Sequence, residues 1–206
     1  MLSIGANRKL GKDVALFNLP SHKCCPGATP ECKKICYAQK AERIYPSARK
    51  SRENNYKSSK KDNFVEMIIK ELEDNDVKIS RIHESGDFYD QKYLNKWIEI
   101  TRALPKIKFL AFTKSFHLDF SGFGDNVAIY YSVDSTSNHD AIPKDRNQAI
   151  TIGEINDLPK GSHFCGPVGK DKKDPKKKDE AHYNYCGDKC KFCWNNRDKN
   201  VYWLKH

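Results

Sequence analysis

Residues Lys78 to Thr113 read KISRIHESGDFYDQKYLNKWIEITRALPKIKFLAFT, and this stretch decides the architecture. Lys78 to Glu84 has the alternation and β-branched content of a strand. Gln91 to Ala103 places Tyr93, Leu94, Trp97, Ile98 and Ile100 at helical spacing, so an amphipathic helix follows. Ile107 to Thr113 (IKFLAFT) is the next strand. A strand, a helix and a strand in succession predict a parallel α/β sheet.

The same rhythm extends in both directions. Upstream, Val14 to Asn18 (VALFN) predicts a strand, and Asp62 to Asn75 a helix with Asp62 as N-cap and Phe64, Met67, Ile68 and Leu72 on one face. Downstream, Val127 to Val133, Ala149 to Ile152 and Ser162 to Cys165 predict three more strands. A closed eightfold barrel takes about 250 residues, whereas this chain has 206. The expected fold is therefore a partial, open βα barrel with parallel strands. One α/β domain over residues 1–206 is expected, with an N-terminal cysteine segment (1–45), a βα core (62–165), a basic loop (166–182) and a C-terminal cysteine segment (183–206).

Eight cysteines punctuate the chain. Cys25, Cys32 and Cys36 form a triad near the start, and Cys186, Cys190 and Cys193 form another in CGDKCKFCW. Pro30 opens an expected helix through Ala41 that sets Cys32 and Cys36 one turn apart on one face. Adjacent residues in extended chain point in opposite directions, so Cys24 is expected to pack or stay spare. Three thiolates on one loop hold three irons of a 4Fe-4S cluster and leave the fourth iron open. Zinc competes, with Cys165 as a fourth ligand of the C-terminal set, and disulfides are a third reading. His22, His163 and His182 lie near cysteines and are candidate substitutes for a thiolate ligand.

Met1 to Lys12 has no apolar run, and no segment is long enough to span a membrane. The expected location is cytoplasmic, where eight cysteines suit metal better than disulfides. Lys and Arg number 37 against 27 Asp and Glu, a net charge of +10 that points to a polyanionic partner such as nucleic acid. Part of this charge sits in Lys170 to Glu180, which reads as a solvated loop. Another part, Lys40 to Lys61 with Tyr45 and Tyr56 interleaved, directly follows the first triad.

Chemistry in parallel α/β folds collects at the carboxyl ends of the strands. There the chain places His83, Glu84, Ser85, Gly86 and Asp87, then Thr113, Lys114 and Ser115, then Ser132, Asp134 and Ser135. Gly86 permits close approach of a ligand, Glu84 or Asp87 would accept from an amine or a ribose hydroxyl, and Lys114 would pair with a carboxylate. Each has a plainer reading: Asp87 as a helix cap, His83 as a core histidine, Lys114 as a salt-bridge lysine. Phosphate-gripping, dinucleotide-binding, zinc-helix and nucleophile-elbow motifs are absent from the sequence. Ordinary nucleotide hydrolysis, hydride transfer and acyl transfer therefore recede.

Together CPGATPECKKICYA (Cys25 to Ala38), RIHESGDFY (Arg81 to Tyr89), FLAFTKS (Phe109 to Ser115) and CGDKCKFCW (Cys186 to Trp194) resemble the gene product 88 family of phages and mobile elements. More distantly, the order of cysteine loop, strand ending in Gly-Asp, strand ending in Thr-Lys and strand ending near Ser resembles radical S-adenosylmethionine enzymes. That resemblance implies a three-cysteine 4Fe-4S cluster on Cys25, Cys32 and Cys36. It further implies S-adenosylmethionine met by Gly86 and Asp87 at its amine, and by Thr113, Lys114 or Ser132 at its ribose or carboxylate. The first triad departs from it, being C-x6-C-x3-C where C-x3-C-x2-C is expected; the matching spacing stands at the other end. Two arrangements follow: two clusters, the second closed by Cys165, Cys186, Cys190 and Cys193, or one metal site built from both chain ends. The alternative function is a non-enzymatic, iron-sulfur- or zinc-stabilised nucleic-acid-binding protein.

Overall fold

The computed structural model describes residues 1–7, 10–143, 146–165, 186 and 190–204. The basic loop expected over 166–182 lies outside these residues. In the stretch that decides the fold, β3 (Ile79–Ile82), α5 (Gln91–Ala103) and β4 (Lys108–Thr113) follow one another. β3 and β4 pair in parallel from Ile79↔Lys108 to Ile82↔Ala111. Helix α5 starts where Asp90, in extended backbone, accepts from Tyr93 N at 2.7 Å. Asp90 is the cap, and Asp87, three residues earlier, is engaged in the loop. Tyr93, Leu94, Trp97 and Ile100 are buried as expected, whereas Ile98 is only partly buried.

The remaining strands extend the sheet to eight, with β1 (Ser3–Ile4) and β2 (Val14–Phe17) on one side and β5 (Val127–Val133), β6 (Gln148–Ile152), β7 (His163–Phe164) and β8 (Val201–Leu204) on the other. Their order is β1-β2-β3-β4-β5-β6-β8-β7. Among the described residues, only β1 is antiparallel to its neighbour. The fold is thus mixed α/β on a mostly parallel sheet. β8, which the sequence did not reveal, slots between β6 and β7 and donates Val201 to the core with no exposed surface.

Each sheet face buries its own apolar set, because side chains alternate along a strand. Phe17, Ile82, Phe109, Ala111, Tyr131 and Val133 face α5 and α4 (Phe64–Asp74). Trp97 meets Phe17 at 5.5 Å between ring centroids, and Phe64 meets Phe17 at 5.4 Å. The opposite face, with Leu16, Leu110, Ala128, Tyr130 and Ala149, is covered by Leu10 and by Trp194 from α6 (Phe192–Asn195). Trp194 Nε1 donates to Ser80 O at 3.4 Å, fastening the C-terminal segment across the sheet.

Two expected helical features differ, and one helix was not expected. The helix expected from Pro30 to Ala41 is two helices, α1 (Pro30–Lys34) and α2 (Tyr37–Ile44), so Cys32 and Cys36 do not share one helical face. Cys36 is extended (φ −61°, ψ 102°) and its sulfur accepts from Gln39 N at 3.5 Å, capping α2. The break has a tertiary cause: Glu31 of α1 is tied to Ser135 and Thr136 after β5, while the Tyr37 hydroxyl donates to Glu84 O after β3. Those anchors hold the two helices on different strand ends. Asp62 does not cap α4; Asn63 holds the cap position without a side-chain bond. Finally, α3 (Pro46–Ser59) occupies the basic stretch and buries Arg52, Asn55 and Ser59. Its packing is polar, through Arg52 to Ala38 O and Glu42 (both 3.0 Å) and Asn55 to Asn18 O (3.0 Å). Hydrophobic periodicity cannot disclose such a helix. Among the described residues no helix is long and apolar enough to cross a membrane.

Candidate metal and cofactor site

The carboxyl ends of β3, β4 and β5 are joined by two buried carboxylates. Asp87 accepts from Thr113 Oγ1 and Phe88 N at 2.7 Å each and from Lys114 N at 2.8 Å, and its own N–H donates to Cys24 O at 2.8 Å. Burial pushes its carboxyl up to about 6, against the pull of those donors. Asp134 accepts from Lys114 Nζ at 2.7 Å, Thr29 Oγ1 at 2.6 Å and the Thr136 N–H and hydroxyl at 2.9 Å each. Burial alone would raise this carboxyl too, but the Lys114 ammonium and the hydroxyl donors outweigh it and hold it well below the usual range. Lys114 Nζ also donates to Ser132 O at 2.9 Å.

These contacts clamp the cysteine loop onto the strand ends. Thr29 accepts from Cys32 N at 3.1 Å while donating to Asp134, so the start of α1 is fixed to β5. Gly27 lies so close to β4 that an added Cβ would stand 1.9 Å from Lys114 O. Gly86, at φ +81°, is pressed against Leu19, with an added Cβ 2.5 Å from Leu19 Cβ. Glu84 is engaged as well: its N–H donates to Asn18 Oδ1 at 2.7 Å, its side chain accepts from Asn7, and its carbonyl accepts from Tyr37. Thus Glu84, Gly86, Asp87, Thr113, Lys114 and Ser132 converge at one mouth, and each has a structural partner there. The salt-bridge reading of Lys114 and the core reading of His83 hold. His83 Nε2 is 2.7 Å from Tyr93 Oη, and burial, followed by the Arg81 charge, lowers the imidazole to about 3.

None of the eight cysteines is joined in a disulfide. Cys24 is fully buried in the helix-side core, a packing residue. Cys25 is pushed up to about 12 by burial and then by the Asp87 charge; Cys32 is raised by burial, with Lys114 working against it. Cys32 adds to the rise at Cys25, and Cys36 to the rise at Cys32. At the other end, Cys165 is hydrogen-bonded to Cys186 and raised by that bond and by burial. Cys193 is pushed up to about 12, first by burial and then by Cys186 and Cys190, with Arg81 and Tyr130 opposing. Cys165, Cys186 and Cys193 pack against the sheet face that carries Tyr130 and Val201. Cys190 Sγ lies 3.8 Å from His163 Nε2, whose ring stacks on Phe192 at 3.6 Å. Among the described residues, no three His, Cys, Asp or Glu side chains take up an arrangement that holds a metal ion.

Sequence reasoning passed over Tyr37 and Arg81. Tyr37 is 58% exposed while its hydroxyl reaches Glu84 O, which sets it on the wall of the mouth. Arg81 lies within β3, its guanidinium 4.9 Å from the Phe112 ring centroid and its Nε buried without a partner among the described residues. A charged residue in the interior of a strand, next to Ile82, was the available signal. His22, in the turn before Cys25, likewise has a buried, unpartnered Nε2.

A mostly parallel α/β sheet with a cysteine loop clamped across its strand ends defines the class. The family model for gene product 88 matches residues 1–196, and the chain belongs to that family. It is 30% identical over 147 residues to the "Gene 88 protein" of Mycobacterium phage L5, covering 63% of this chain and 61% of the relative. It is 27% identical over 147 residues to the "Gene 88 protein" of Mycobacterium phage D29, covering 63% and 60%. The chain thus matches about three-fifths of the length of these curated relatives. No solved structure matches it.

Proposed function

We propose that the chain is an iron-sulfur protein on an open, partial βα barrel. In this reading it resembles a radical S-adenosylmethionine enzyme and acts on an anionic (nucleic acid or nucleotide) or peptide substrate. The observation that carries it is the clamping of the loop with Cys25, Cys32 and Cys36 onto the strand ends, by the Asp87 N–H to Cys24 O after β3 and by Thr29 to the Lys114–Asp134 pair after β4 and β5. Loops at that end of a parallel sheet are where such folds keep their chemistry.

The donor type suits iron: Cys25, Cys32 and Cys36 offer three sulfurs on one clamped loop. They are not preassembled as a ligand set, so binding would draw them together. Cys25, Cys32 and Cys36 would hold a 4Fe-4S cluster with one iron open. When bound, such a cluster supplies an electron and a coordination site for S-adenosylmethionine. Asp87, through its N–H to Cys24 O, and Lys114, through Asp134 and Thr29, also position the loop, and Thr113 orients Asp87. Glu84, Gly86 and Ser132 bring backbone groups to the same mouth. Cys165, Cys186, Cys190 and Cys193 would form a second, closed centre, of zinc or a cluster, that staples the C-terminal segment to the sheet.

The test is anaerobic purification with iron and sulfide counted. A brown protein absorbing near 400 nm, and 5′-deoxyadenosine formed on reduction with S-adenosylmethionine above a Cys32→Ala control, are expected. A colourless zinc protein that forms none would remove the enzyme reading. The second reading, a metal-stabilised nucleic-acid-binding protein in a cytoplasmic setting, is favoured by one observation: every exposed charged side chain between residues 30 and 61 is Lys or Arg.

A further inference from the structure

We propose that the outer surface of α1, α2 and α3 is a binding track for single-stranded nucleic acid that leads to the cysteine mouth. It deepens the reading above by naming the substrate class, and rests on that reading only for where the track leads. The acidic residues of these helices are buried or paired: Glu31 is buried, Glu42 is paired with Arg52 at 3.0 Å, and the partly exposed Glu53 with Lys23 at 2.9 Å. What remains outward is uniformly positive, including Lys40, Arg43, Arg49, Lys50 and Lys57. A field of one sign over neighbouring helices attracts a polyanion through counterion release.

Charge alone does not distinguish a strand from a duplex; the aromatic residues do. Of the six large hydrophobic side chains exposed among the described residues, Ile35, Tyr37, Ile44 and Tyr45 lie here, with Tyr37 at 58% and Tyr45 at 60%. Single exposed apolar residues need no explanation, but a cluster inside a basic field does. Tyr37 and Tyr45 bracket α2, about 12 Å apart along a helix of this length. Tyrosine faces take unpaired bases by stacking, whereas a duplex keeps its bases stacked on one another. Along α3, Ser47, Lys50, Ser51, Asn54 and Ser58 line a groove whose hydroxyl and amide donors suit phosphodiester oxygens. Because the Tyr37 hydroxyl is anchored to Glu84 O, a base on its ring lies at the rim of the mouth.

The experiment is fluorescence anisotropy with the full chain and a labelled mixed-sequence oligonucleotide, single-stranded or duplex, from about 50 to 200 mM salt. Single strands are expected to bind more tightly than duplex. Tyr45→Ala should weaken binding roughly tenfold while Tyr45→Phe retains it, since stacking needs the ring and not the hydroxyl. Arg43→Glu with Lys50→Glu should lower the salt slope by about 1.4, the share of two phosphates on a single strand. Circular dichroism checks that each variant is folded.

No binding at micromolar protein, equal affinity for duplex, displacement by polyglutamate as readily as by polyuridine, or indifference to both sets of variants would overturn the proposal. Neither S-adenosylmethionine nor reductant is present, so the outcomes separate. A colourless protein that binds single strands sinks the cluster alone, and a brown protein that binds none sinks the track alone.

Discussion

Asp134→Ala should release the cysteine loop from the sheet, and its cost follows from the contacts it deletes. Asp134 is 5% and Lys114 13% exposed in their side chains, with 2.7 Å between them. The substitution leaves the ammonium with only Ser132 O and strips an acceptor from Thr29 Oγ1, Thr136 N and Thr136 Oγ1. Breaking one partner from a buried pair costs about 3–5 kcal/mol, and each hydrogen bond to a charged group is worth about 1.5–3 kcal/mol net. These figures describe the same loss twice, so the expectation is ~4 kcal/mol rather than their sum. For a chain of this size that is roughly 10 °C in Tm.

Lys114→Met should cost less, because an orphaned carboxyl can take up a proton. Asp134→Ala with Lys114→Met should cost less than the two single changes together, with a coupling of about 2 kcal/mol. The assay is urea unfolding followed by tryptophan fluorescence, alongside the alkylation rate of Cys32, whose N–H is capped by Thr29. The pair's pH dependence has a definite sign. The Asp134 carboxyl is held low in the folded chain, so its stabilisation is present above about pH 4 and lost as pH falls through the folded value. An Asp134→Ala cost below ~1 kcal/mol, or strict additivity, would show that the clamp does not hold the loop.

Three further outcomes are expected. His83 is neutral in the core, lowered to about 3 by burial and then by Arg81, so the fold should lose stability as pH falls below about 6.5, by several kcal/mol on approaching pH 3. His83→Phe should flatten that slope in urea titrations at successive pH values; an unchanged slope would place the acid sensitivity elsewhere. Gly27→Ala, whose Cβ would meet Lys114 O at 1.9 Å, should lower Tm by the equivalent of about 2–3 kcal/mol. Gly161→Ala, at φ +82° with nothing within 4 Å, should cost about 1 kcal/mol from backbone strain alone. Equal losses would mean that the loop does not press on β4. Cys186→Ser with Cys193→Ser should abolish metal bound at the C-terminal set while Cys32→Ser spares it, read by elemental analysis of the purified proteins. Loss of all metal in either variant would instead favour one site shared between the chain ends.

Local pattern alone determined β3, α5, β4 and β5, because their apolar side chains recur at the periods of strand and helix. It also indicated where polar residues gather, since parallel direction follows from the βαβ rhythm and puts the carboxyl ends of β3, β4 and β5 on one side. It grouped the cysteines into two sets, which is a matter of spacing. Tertiary structure decided the rest. Helix α3 buries Arg52, Asn55 and Ser59 through hydrogen bonds to partners far along the chain, so no apolar period announces it. The break between α1 and α2 arises because Glu31 and Tyr37 are tied to different strand ends. β8 enters the sheet between β6 and β7, a choice made by pairing partners. Asp87 and Lys114 read as ligand contacts in one dimension. Only the fold shows that Asp87 also joins the ends of β3 and β4 and that Lys114 pairs with Asp134, because a buried charge must find its partner wherever the fold brings one.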